Sequence, residues 1–159
     1  MAGRLRPHGA RCITGQVSAT GRVLVPVCGA DADHDALELA CLIAKRGRRV
    51  VEAVFVIEVE RSLPLDAEMQ AEIERGETVL DHAERTAQSF DVEMETSLLQ
   101  ARDAGAAIVD EAVQTNAETI VMGLPYKMKF GEYSLGKTAS YVLKNAPCRV
   151  WLARQPIPS

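Results

Sequence analysis

The sequence predicts an α/β protein built on an open five-stranded parallel sheet with helices on both faces. Three observations carry this. Five short apolar, β-branched runs alternate along the chain with four segments of helical periodicity. The first, second and fourth runs are nearly all apolar, as expected of strands covered on both faces. Aromatic residues make up only 4%, so core volume comes from Val, Ile, Leu, Ala and Met, which suits a parallel sheet under helices. The crossovers are expected to be right-handed.

In chain order, residues 1–21 are rich in Gly, Arg, Ala and Ser and carry three arginines and no acid. They are read as a disordered basic extension. The domain runs from 22 to 154, and 155–159 form a proline-containing tail. Arg22 to Cys28 is the first strand; Pro26, lacking an N–H, marks its end or a local irregularity. Residues 29–35 form a turn and helix start, with Asp35 and Glu38 at capping-box spacing. Ala36 to Arg46 is an amphipathic helix stopped by Gly47. Val50 to Ile57 is the second strand, and Asp66 to Phe90 is a long helix with an acidic face. Asp91 to Leu99 alternates and predicts a half-buried edge strand. Asp103 caps a helix over 104–116. Thr119 to Gly123 is the fourth strand. A loop follows, then a helix opened by Gly136-Lys137-Thr138 and ended at Ala146-Pro147. Cys148 to Ala153 is the last strand, with Trp151 expected to pack under a helix.

Composition narrows the function. The 159 residues suit one domain, 47% hydrophobic and 25% charged. Net charge is −4, but the first 21 residues carry +3 and the remaining 138 carry −7. So acidic a body argues against nucleic acid as a partner. No apolar run approaches the ~18 residues of a transmembrane segment, and no h-region follows the N-terminal arginines, so a cytoplasmic location is expected. Cys12, Cys28, Cys41 and Cys148 form no C-x-x-C pair and read as reduced, mostly buried thiols.

The strand–loop–helix stretch from Thr119 to Lys144 organises the chemistry. A glycine-bearing loop entering a helix N-terminus is a ready anion site, because the first N–H groups have no internal partner and the macrodipole is positive there. Lys137 adds a full charge. Two regular expressions fail on inspection. Gly131 to Thr138 fits G-x4-G-K-[ST], but its strand ends eight residues earlier, at Gly123, and the only acid after another buried strand is Glu58. Asp31, Asp33 and Asp35 start an EF-hand-like run that lacks its glycine and its final glutamate.

The same stretch resembles the nucleotide loop of the universal stress protein family, Gly-x2-Gly-x9-Gly-(Ser/Thr) after a strand ending in Met-Gly. Here Met122-Gly123, Tyr126, Gly136, Lys137 and Thr138 keep the spacing, with Tyr126 at the second Gly and Lys137 at the Ser/Thr. Pro26-Val27-Cys28-Gly29 is similar to the family's Val-Pro-Val/Thr-Asp-Gly, with Cys28 at the ribose-contacting Asp. Val56 matches a position lining the adenine pocket. The resemblance covers 22–154 and implies strand order 3-2-1-4-5. It also implies a homodimer through the last strand, 148–153, and a non-catalytic stress-response or sensor domain binding ATP or AMP. The site residues it implies are Pro26, Val27, Cys28, Val56, Met122, Gly123, Tyr126, Gly136, Lys137 and Thr138. The alternative is a regulatory module binding no nucleotide, its cleft filled by Tyr126. Around Glu58 to Asp66 the chain is also similar to universal stress domains attached to amino-acid permeases, which implies a transporter partner. A third reading, slow hydrolysis, would rest on Asp31 or Asp33 holding Mg²⁺.

Overall fold

The computed structural model of the protein describes residues 3–5 and 21–159. Its strands are β1 (Gly3–Leu5), β2 (Arg22–Val27), β3 (Val50–Glu58), β4 (Met94–Ala101), β5 (Thr119–Leu124), β6 (Met128–Lys129), β7 (Glu132–Tyr133) and β8 (Arg149–Arg154). The helices are α1 (Ala32–Gly47), α2 (Gln70–Ser89), α3 (Ala104–Gln114) and α4 (Lys137–Asn145). The main sheet runs β1-β4-β3-β2-β5-β8. Its five parallel strands, numbered among themselves, follow 3-2-1-4-5, as expected.

The two faces of the sheet hold separate cores, because successive side chains on a strand point to opposite sides. Val23, Val25, Val51, Ala53, Phe55 and Val121 pack with α1 and α2. Leu24, Val54, Leu99, Ile120 and Met122 pack with α3 and α4. Gly76 lets α2 lie close on the sheet: a Cβ there would stand 2.7 Å from Leu98 and 2.8 Å from Phe55.

Several boundaries differ from the sequence reading, each for a local reason. α1 begins at Ala32 rather than Ala36, and Asp35 makes no cap; the Asp33 side chain folds back on the preceding turn instead. Its C-cap is Arg48 in the left-handed region, φ 51°, with Gly47 still helical. α2 begins at Gln70 rather than Asp66, since Gln100 Nε2 donates to the Ala67 carbonyl and holds that segment outside the helix. β4 is not an edge strand. Gly3–Leu5 pairs antiparallel with it, Leu5 opposite Leu98 and Gly3 opposite Gln100. That short strand lies within the stretch expected to be disordered; the rest of that stretch lies outside the described residues. Trp151 is 46% exposed rather than covered by a helix. Of the three described cysteines, only Cys41 is buried; Cys28 is exposed and Cys148 is intermediate.

Candidate functional site

The cleft opens where strand pairing changes hands. β2 and β5 are neighbours, but their register ends at Leu24 opposite Ile120. Beyond it β2 continues only with β3, to Val27 opposite Phe55, and β5 only with β8, to Leu124 opposite Arg154. Pro26, without an N–H, sits two residues past the last β2–β5 pair, so the parting sacrifices no donor there. This is the topological switch point, at the carboxyl ends of the strands, where such sheets take ligands.

The cavity there has a volume of about 550 Å³. Val54, Val56, Ile108, Met122 and Leu124 give it an apolar floor, and Gly136, Lys137 and Thr138 stand at its mouth. Nine of the ten residues expected at the site line it. Tyr126 does not. Its ring stacks on Tyr133 at 5.6 Å between centroids, and the Arg154 guanidinium lies over both rings, at 5.4 and 6.0 Å.

Tyr126 is turned out by a hairpin where the sequence predicts a loop. β6 and β7 pair antiparallel around Phe130-Gly131, whose φ values are +53° and +79°. Two successive positive φ angles make the tight two-residue turn that suits a right-twisted hairpin. The Phe-Gly dipeptide was the available signal, obscured because Phe is costly at positive φ. The first arm brings Lys127, Met128 and Lys129 into the cavity wall.

Gly123 has a packing role distinct from any ligand. A Cβ on it would stand 2.0 Å from the Ala32 carbonyl oxygen, so only glycine lets β5 pass the start of α1. Gly136 has φ +85° and open space where a Cβ would be. It presents the free amino end of α4 to the cavity.

Two carboxylates order the loops around the cleft. Asp33 Oδ2 accepts from the backbone N–H groups of Cys28, Gly29 and Ala30, at 2.8, 2.8 and 3.1 Å. Its side chain fixes the turn after β2. Burial pushes the Asp33 carboxyl above its usual range against the pull of those three bonds. Burial, reinforced by the Asp33 charge, also raises the Cys28 thiol, so Cys28 is no activated thiolate. Asp103 caps α3 through Ala106 N and holds Lys137 Nζ at 2.7 Å. The lysine is the main reason its carboxyl is held low. Asp31 lines a second cavity, with His34 and His82, on the α1–α2 side of the sheet. Among the described residues, no three His, Cys, Asp or Glu side chains come together as a metal site. Nor is any helix among them long and apolar enough to cross a membrane.

A doubly wound α/β domain with a cleft at its switch point is the class these features define. The universal stress protein family model matches residues 20–154, and the chain belongs to that family. It is 30% identical over 141 residues to a universal stress protein of Methanocaldococcus jannaschii, covering 85% of this chain and 82% of that protein. Among solved structures it is similar to the universal stress protein of Archaeoglobus fulgidus, with a TM-score of 0.73 and 22% identity over 83% of this chain and 97% of that one. A universal stress protein from Archaeoglobus fulgidus in complex with dAMP matches at a TM-score of 0.67 and 21% identity, covering 83% of this chain and 96% of that one. An Arabidopsis thaliana family member with AMP bound matches at 0.64 and 17%, covering 86% and 92%.

Proposed function

We propose that the protein is a nucleotide-binding sensor that takes an adenine nucleotide, ATP or AMP, in the switch-point cleft without chemistry of its own. The observation that carries this is the pairing of an apolar slot with a free helix N-terminus in one cavity of about 550 Å³. The base lies against Pro26, Val27 and Val56. The phosphates meet the N–H groups opened by Gly136 and the charge of Lys137, which leaves Asp103 to do so. The relatives solved with dAMP and AMP support the reading. Tyr126, stacked outside the cavity, removes the main objection to it.

The signal passes through assembly. Among the described residues β8 pairs only with β5, and it carries the exposed Trp151. A second copy docks there, and occupancy alters that contact.

The test is thermal unfolding with AMP, cyclic AMP, ATP or no ligand. A nucleotide at ~100 times its dissociation constant adds about 2.7 kcal/mol and raises the midpoint by several degrees. Lys137→Glu is expected to abolish most of that rise. No shift with any of the three would end the nucleotide reading, and an unchanged shift in the variant would end the role of Lys137.

A further inference from the structure

Lysines crowd the mouth of the cleft. Lys129 lies on the first strand of the hairpin and Lys127 just before that strand. Both are exposed, and both line the cavity together with Lys137. Lys137 is held by Asp103. Lys127 and Lys129 have no carboxylate partner among the described residues. The Lys127 charge reaches across to the Cys28 wall, where it works against the rise of that thiol.

The two acids that order the cleft are already engaged, and Glu132 lies opposite Lys129 across the hairpin. Asp33 accepts three backbone N–H groups, and Asp103 is divided between Ala106 and Lys137. Lys127 and Lys129 therefore line the cavity without a salt bridge among the described residues, and Lys129 Nζ lies 5.7 Å from the Phe130 ring centroid. They lie on the hairpin, beyond the N–H groups of α4 that meet the first phosphate in the reading above. A monophosphate ends at those N–H groups. A longer phosphate chain carries more negative charge and continues outward, toward the hairpin.

We propose that Lys127 and Lys129 form a rim that selects for phosphate-chain length, so that the cleft prefers a nucleoside triphosphate to the corresponding monophosphate. The proposal rests on the nucleotide reading and adds to it the class of nucleotide and the residues that choose it. Because the rim is exposed, its contribution is modest and screened by salt.

The experiment is calorimetric titration of the full chain with ATP, AMP and inorganic tripolyphosphate in metal-free buffer, for the wild type and the Lys127→Gln/Lys129→Gln double variant. The wild type is expected to bind ATP about tenfold more tightly than AMP, a ratio that shrinks as salt is raised. In the double variant that ratio falls to about one, and tripolyphosphate binding is lost. Equal ATP and AMP affinities in the wild type, or an unchanged ratio in the variant, would overturn the rim and leave nucleotide binding standing. Failure of both nucleotides to bind would overturn the nucleotide reading instead. The tripolyphosphate titration then decides the rim alone: binding that the variant loses upholds it, and no binding overturns it.

Discussion

The two ends of the sheet handle polar groups in opposite ways. At the carboxyl ends of the strands, exposed lysines line the cleft, and the carboxylates pair with backbone N–H groups or with Lys137. Toward the amino ends, one pair of carboxyl groups is sealed in. Glu52 on β3 is 1% exposed and Glu111 on α3 is 3% exposed, and the two share a hydrogen bond. Ser97 Oγ donates to Glu52 at 2.8 Å, and Arg22 bridges Glu52 at 3.0 Å and Glu95 at 2.6 Å. Burial, then the Glu111 carboxyl, pushes the Glu52 acid up to about 7. The open end can exchange partners with a ligand, whereas the sealed end can exchange only a proton.

The contrast can be broken first at Gly123. Gly123→Ala puts a methyl 2.0 Å from the Ala32 carbonyl oxygen, so α1 or β5 must move. A loss of about 4 kcal/mol or failure to fold is expected in chemical denaturation. A stable variant with an intact cleft would show that the switch point is looser than its packing.

At the sealed end the test is pH. The Glu52 acid lies at about 7 in the folded protein, above the ordinary 4.5, so the fold favours its protonated form. The stability this gives is full below pH 4.5 and is lost as pH rises through about 7. That loss amounts to about 3 kcal/mol. Glu52→Gln should flatten the profile between those limits in urea titrations at successive pH values. A wild-type profile that rises across that window would contradict the assignment.

The smallest effect is expected at Asp33. Asp33→Ala leaves three backbone N–H groups without their acceptor and should cost about 2 kcal/mol. Asp33→Asn, which keeps an acceptor oxygen, should recover about half of that in the same denaturation assay. Equal losses in the two variants would show that the charge, not the hydrogen bonds, holds the turn.

The elements were legible wherever periodicity is local. Apolar runs gave β2, β3 and β5, and the Asp103 cap gave the start of α3. Interactions between distant parts of the chain were not legible. The strand spanning Gly3–Leu5 finds β4 more than ninety residues away, and nothing in its own pattern says so. Glu52 looked like one polar residue in an apolar run, because its partners come from β2, β4 and α3. In the cleft, the spacing of Met122, Gly123, Gly136, Lys137 and Thr138 located the lining residues. The direction of Tyr126 did not follow, because it depends on a turn at Phe130-Gly131 and on Arg154 from another strand.

The short first strand also changes what stands at one margin of the sheet. β1 lies along the carboxyl half of β4, with Leu5 opposite Leu98 and Gly3 opposite Gln100. A strand of three residues offers few backbone groups to a newcomer, which is one way sheets blunt an edge. The six-residue β8 stands at the opposite end of the strand order, so the two margins differ in how readily they would template another strand.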